Sequence, residues 1–410
     1  MLHFLSRSTK PLVISVIALI VCSNLALTPG TERKLDQRLT AATSKFAFRL
    51  YQQVLKRRTS NNTFVSPASV MMALAMTYNG AGGETRQAMA RALELEGMSL
   101  EDVNRAFADL KSALAPADPK IQLKIANSIW VRKSFAIKPA FIERNQQSYG
   151  AEITSLDFAD PTAAQTINSW VNRNTNGKID KIVDSISDEI VMYLINAIYF
   201  KGQWQIEFDK KLTKPDMFRV DGGDRKELPM MSQSGSFSYY KGKNFQSVAL
   251  PYGKGGMSMY VFLPDEQTSL NQFEQDLTPE NWDMWMSNFR PTPGDLKLPR
   301  FKLEWEANLN EALATLGMAE AFDARANFSL IADPVGGNRL YISEVKQKTT
   351  CEVNEEGTVA TAVTSVGIGV TSAREPQERF VMKIDRPFFF AIRDTTSGVV
   401  LFMGSVTNPV

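Results

Sequence analysis

The chain has 410 residues, 44% apolar and 22% charged, which is the balance of a globular protein with a sizeable core and excludes wholesale disorder. Its formal charge is +2, and without Arg7 and Lys10 in the first ten residues the 46 basic side chains fall to 44, equal to the acidic ones. No general attraction to nucleic acid or to an anionic membrane follows from such a balance. The rarest residues exclude more. The one histidine is His3, and the two cysteines are Cys22 and Cys351. Past residue 27 there is no histidine, so a Ser-His-Asp triad, a Cys-His dyad and a histidine-containing metal site are all excluded from the body of the chain. One cysteine remains there, so no internal disulfide is expected.

Taken in chain order, the sequence opens with a basic start and the apolar run Leu12–Cys22. That pattern predicts a signal peptide over residues 1–27, cleaved near Val21-Cys22-Ser23. Even extended to Leu27, the run falls short of the roughly 20 apolar residues that span a bilayer. Export to the extracellular space or the periplasm is therefore expected, with no stable membrane association. An uncleaved N-terminal anchor is the second reading. A lipoprotein is the third, disfavoured by the bulk of Val21. The remainder, 38–410, reads as one domain without linker or repeat.

Leu39, Phe46, Leu50, Val54 and Leu55 recur at helical spacing over Leu39–Arg57. Ser66-Pro67-Ala68-Ser69 opens a second helix with proline near its start. Gly80–Gly83 is a loop and Glu84–Leu95 a helix. Ile121–Val131 contains a strand, and Val191–Phe200 reads as a buried one. Strands then multiply at Phe237–Tyr240, Ser247–Leu250 and Met257–Leu263. Leu309–Leu316 is helical, and Phe388–Ile392 with Val399–Met403 close the chain as strands. Helices dominate the first half and strands the second without regular alternation, which predicts an α+β fold with large sheets.

Two motifs point to chemistry the rest of the chain does not support. Ser343-Glu344-Val345-Lys346 matches S-x-x-K, and Lys348-Thr349-Thr350 nearly matches K-T-G. The two lie almost adjacent on one apparent strand, whereas penicillin-recognising enzymes need the serine on a helix and the second motif far away. Gly367-Ile368-Gly369 lacks the third glycine and the helix of a dinucleotide fingerprint.

The informative segment is 335–375, which holds none of the chain's 19 prolines. From Thr358 to Thr371 it carries no charge. Alternate positions fall into two sets. One is Thr358, Ala360, Ala362, Thr364, Val366, Ile368 and Val370; the other is Val359, Thr361, Val363, Ser365, Gly367, Gly369 and Thr371. The first set is small where it begins, so it fits beneath a packed surface. Nothing blocks strand pairing, and the β-branched residues favour it. The segment is a permanent buried strand, or one that exists first as loop and later as strand.

With these residues in view, the chain from about Thr40 to Pro409 resembles the serpin family. Asn62–Ser69 resembles the family's opening of its second helix, and Asn196–Trp204 the strand passing the top of its central sheet. Leu298–Lys302 and Leu316–Phe322 fit later signatures. Glu352–Thr358 is similar to the hinge before the reactive loop. Asp385–Phe390 and Leu401–Gly404 resemble the C-terminal signature. The resemblance implies three β-sheets with a large central one, about nine helices and an exposed reactive-centre loop over about 355–376.

It also implies a suicide inhibitor of serine proteases, acting as a monomer, without catalytic residues, metal or cofactor. The target protease attacks the loop and forms an acyl-enzyme. Cleavage frees the loop to insert as a strand into the central sheet, and the covalent complex is trapped. Glu356, Gly357, Thr358, Ala360, Ala362 and Thr364 form the hinge, and the compactness of Thr358, Ala360, Ala362 and Thr364 favours an inhibitor over a non-inhibitory carrier or chaperone. The family's usual count from Gly357 places the cleaved bond at Thr371–Ser372, which suits an elastase-like protease. Arg374, for a trypsin-like protease, and Val370, also for a papain-like one, are the alternates. Where the sheet opens, the family commonly has a histidine beside Ser66, Ser69 and Asn196. This chain has Gln347 there, which joins the network by hydrogen bonds without titrating. Trp204 lies by the point where the loop enters.

Overall fold

A computed structural model describes residues 35–58, 62–115, 118–358 and 378–409. The N-terminal segment and the stretch 359–377, which holds Ala360, Ala362, Thr364, Val370, Thr371, Ser372 and Arg374, lie outside the described residues.

Helix α1 (Gln37–Lys56) starts at Asp36, whose carboxylate accepts from the Arg38 amide, and buries a stripe of Leu39, Phe46, Leu50, Tyr51 and Val54. Helix α2 (Pro67–Tyr78) is apolar on every side and all of it is buried, as such a helix must be. Proline occupies its first turn. The helix expected over Glu84–Leu95 runs Gly83–Ala92, and Glu94 just beyond it takes a positive φ of 58°. The one expected over Leu309–Leu316 is α-helical only over Asn310–Leu313 and continues as a wider turn to Met318, where Gly317 has φ 114°. Nine α-helices occur among the described residues.

The central sheet contains β1 (Ile121–Arg132), β2 (Glu152–Leu156), β3 (Met192–Gln203), β4 (Phe301–Asn308), β5 (Glu344–Asn354) and the two-residue β6 (Gly357–Thr358). Their order is β4-β5-β6-β3-β1-β2. Below β6, strands β5 and β3 pair directly and in parallel, Glu344–Thr350 against Tyr193–Tyr199. The sheet is thus closed along most of its length and parted only at its top.

A nine-stranded ladder makes up the rest. Its strand Arg225–Lys241 pairs with Lys214–Arg219 and Arg290–Pro299 over most of its length, and with Phe245–Tyr252 only through Ser238–Lys241. This long strand joins two sheets, which with the central one gives the three expected. Against this ladder pack the helices Leu270–Gln275 and Pro279–Asn288, and in the aromatic core so formed the Phe262 ring touches those of Phe245, Phe273, Trp282, Trp285 and Phe389.

Candidate functional site

The site is the top of the central sheet, where the chain turns out of β5 towards the loop. The turn Asn354–Gly357 is built from local bonds. The Asn354 side-chain oxygen accepts from the amides of Glu356 at 3.0 Å and Gly357 at 3.2 Å, an Asx arrangement that fixes the reversal. The head of β3 holds it from the other side. The Trp204 and Phe208 amides donate to the carbonyls of Glu356 and Glu355, each at 2.9 Å, and the Trp204 indole donates to the Asn354 carbonyl at 2.9 Å. Trp204 therefore lies directly beneath this turn. Gly357 has φ 146°, and a Cβ there would collide with the Gly202 carbonyl, so only glycine fits.

Two ion pairs brace the same turn. The Arg300 Nε donates to both Glu355 oxygens at 2.8 and 2.9 Å, and Lys210 pairs with Glu356. Burial alone would raise the Glu355 carboxyl, but hydrogen bonds from Arg300 and Thr213 outweigh it and hold it below the usual glutamate value. Glu356 hydrogen-bonds Lys210 and so raises that ammonium above its ordinary value. Sequence reasoning quoted Arg300 and Glu355 as parts of separate signatures but did not pair them. It quoted Asn354 in the same signature as Glu355 without giving it a role, and it missed Lys210 and Tyr252, which carry no local signal of their own.

Thr358 differs from the expectation that entry into the sheet awaits cleavage. It already lies between β5 and β3, opposite Val353 and Gly202, and is fully buried. Its hydroxyl meets the Tyr252 phenol at 2.7 Å.

Lower down the seam, the predicted sheet-opening residues are brought together. Asn127, Asn196 and Gln347 stand side by side on β1, β3 and β5. The Gln347 amide donates to the Asn196 side-chain oxygen and, at 3.0 Å, to the Ser66 carbonyl, while its oxygen accepts from the Ser66 amide at 3.0 Å. Asn196 donates to Ser69 and to Asn127. The Ser66 hydroxyl turns away to the Leu401 carbonyl at 2.7 Å, which is why it does not cap α2. Asn127 is the member that sequence reasoning missed.

A strap between residues 175 and 191 crosses the seam. Arg132 on β1 donates to the Ile190 carbonyl at 2.8 Å, and Lys348 on β5 to the Lys181 carbonyl at 2.8 Å. The S-x-x-K motif carries no chemistry. The Ser343 hydroxyl accepts from the amides of Val191 and Met192, and Lys346 pairs with Glu344.

The family model described as serpin (serine protease inhibitor) matches residues 41–409. The chain belongs to the serpin family. A bovine leukocyte elastase inhibitor is 37% identical over 388 residues, covering 91% of this chain and all of its own. The human leukocyte elastase inhibitor is 34% identical, with the same coverage. The crystal structure of a thermophilic serpin, tengpin, in its native state superposes with a TM-score of 0.85 at 36% identity, over 92% of this chain and 96% of that one. Membership places the chain in a family described as serine protease inhibitors. One expectation is corrected. The leukocyte elastase inhibitors it resembles are intracellular serpins, so the reading of a secreted or periplasmic protein, and the anchored alternative with it, is withdrawn.

Proposed function

We propose that this serpin is a single-use inhibitor of elastase-like serine proteases, trapping the acyl-enzyme by inserting its cleaved loop between β3 and β5. The observation that carries the reading is the hinge: β6 is a two-residue wedge already paired on both sides, above a seam that is otherwise closed. The relatives named as elastase inhibitors support the target class.

Extending the two ladders of β6 by the strand period predicts the inserted register. Ala360 would come between Phe200 and Cys351, Ala362 between Ile198 and Thr349, and Thr364 between Asn196 and Gln347. These neighbours are all fully buried, so small side chains are needed on that face. Thr364 would displace the Gln347–Asn196 bond, and its hydroxyl both donates and accepts in replacement. The composition of this face disfavours the carrier or chaperone reading.

The covalent complex is formed at Thr371–Ser372, with Arg374 and Val370 as the residues that would redirect it to trypsin-like or papain-like enzymes. The protein acts as a monomer. The test is incubation with neutrophil-type elastase, trypsin and a papain-like protease, followed by a denaturing gel and mass measurement of the released peptide. A stable complex with elastase and a peptide beginning at Ser372 is expected. Clean loop cleavage without complex by every protease refutes the inhibitory reading.

A further inference from the structure

We propose that the Tyr252 phenol is the receptor for the first residue of the loop. It catches the Thr358 hydroxyl inside the sheet and thereby sets how many encounters end with the protease trapped and how many with it released. The proposal deepens the inhibitory reading and rests on it. Tyr252 ends the strand Phe245–Tyr252 and belongs to the joined ladder, not to the central sheet. Its position is fixed from three directions. The ring stacks on Trp204 at 4.5 Å and meets the Phe200 edge at 5.1 Å. Its backbone is clamped to the head of β3 by bonds from Gln205 to the Pro251 carbonyl and from Gly253 to the Gln203 carbonyl, both 2.8 Å. A Cβ on Gly202, the residue paired with Thr358, would stand 2.7 Å from the Tyr252 ring, so glycine there gives the ring its place.

The result is a phenol with no exposed surface, aimed at the slot that the loop must enter. Among the described residues neither hydroxyl of the Tyr252–Thr358 pair has a second hydrogen-bond partner. With the hinge seated, both are satisfied. With the hinge out, each hydroxyl takes water instead, so seating is favourable only when the two are buried as a pair. The pair therefore selects a hydroxyl at position 358, beyond the requirement for a small residue. Tyr252 is a positioning residue: it touches no protease and acts through Thr358.

The test is a double-mutant cycle of Tyr252→Phe and Thr358→Val in the full chain. Both substitutions preserve shape. Two quantities are measured: the ratio of trapping to release with elastase, and deuterium protection of the peptide covering 354–358 in the uncleaved protein. Each single variant leaves one hydroxyl buried without a partner, so the trapping ratio should fall about tenfold, with matching loss of protection. The double variant has no orphaned hydroxyl and should return to within about twofold of the parent. A purely structural role for the ring predicts no such rescue. Unchanged single variants, or a double variant showing the sum of the single losses, overturn the proposal. If the parent chain traps no protease at all, the inhibitory reading fails, and the protection cycle still decides whether the two hydroxyls hold the hinge.

Discussion

A side chain arriving between β3 and β5 meets a slot without solvent, and Thr358 shows what it accepts: a small residue with one hydroxyl, facing Tyr252. An arginine there would need a buried counter-charge, and the slot offers none. Thr358→Arg should therefore leave the protein a substrate, with the inhibitor consumed per protease trapped rising at least about tenfold. An undiminished yield of covalent complex on a denaturing gel would count against this. The Glu355–Arg300 pair sets a pH limit on the same turn. Because the folded Glu355 carboxyl sits below its ordinary value, the pair contributes fully above that value and is lost as pH falls through the depressed one. Acidification below about pH 4 should release the hinge, seen as lost deuterium protection of the 354–358 peptide, and Glu355→Gln should abolish that step. In the seam, Ser66, Ser69, Asn127, Asn196 and Gln347 contain no group that titrates near neutrality. Spontaneous loss of inhibitory activity should therefore be flat between pH 6 and 8, and Gln347→His should introduce a slope there.

At the scale of elements, the strap is the obstacle to the incoming strand. It is tied to β1 through Arg132 and to β5 through Lys348, so it bridges the line along which those strands must separate. Val359, Thr361 and Val363, on the outward face of the incoming strand, have to pass beneath it. Lys348→Met removes the bond to the Lys181 carbonyl and the pair with Glu306 at 3.1 Å. About 1 kcal/mol of restraint should go with them, and conversion to a loop-inserted, inactive form on warming should quicken several-fold. An unchanged half-life of activity would show that the strap does not gate the seam. Much at this scale was legible in the sequence. Helical spacing located α1, the all-apolar run located α2, and unbroken apolar stretches located the strands, because burial on one or both faces writes itself into periodicity. The strap was not legible, since backbone carbonyls receive its ties and any residue supplies those. Nor was the turn after Leu313, where a single glycine diverts an otherwise helical pattern.

For the molecule as a whole, the closed seam beneath a seated hinge implies stored free energy. Cutting the loop should let a full strand complete the central sheet, so the nicked protein should melt about 10 °C or more above the intact one. A nicked form that melts no higher would deny the stored energy. The order of the strands in the central sheet was not legible, because which strands pair across long sequence gaps leaves no local trace. The site divides in the same way. Gly357, Thr358 and Trp204 stood out by residue type and position, whereas Tyr252, 106 residues from Thr358, is brought to it only by the fold. The two-residue β6 has one more consequence. Starting a strand is the slow part of making one, because order must be imposed before pairing rewards it. Here that start is completed when the polypeptide first folds, long before any enemy arrives. What remains after the cut is propagation, rung upon rung, against the clock of a water molecule approaching an ester.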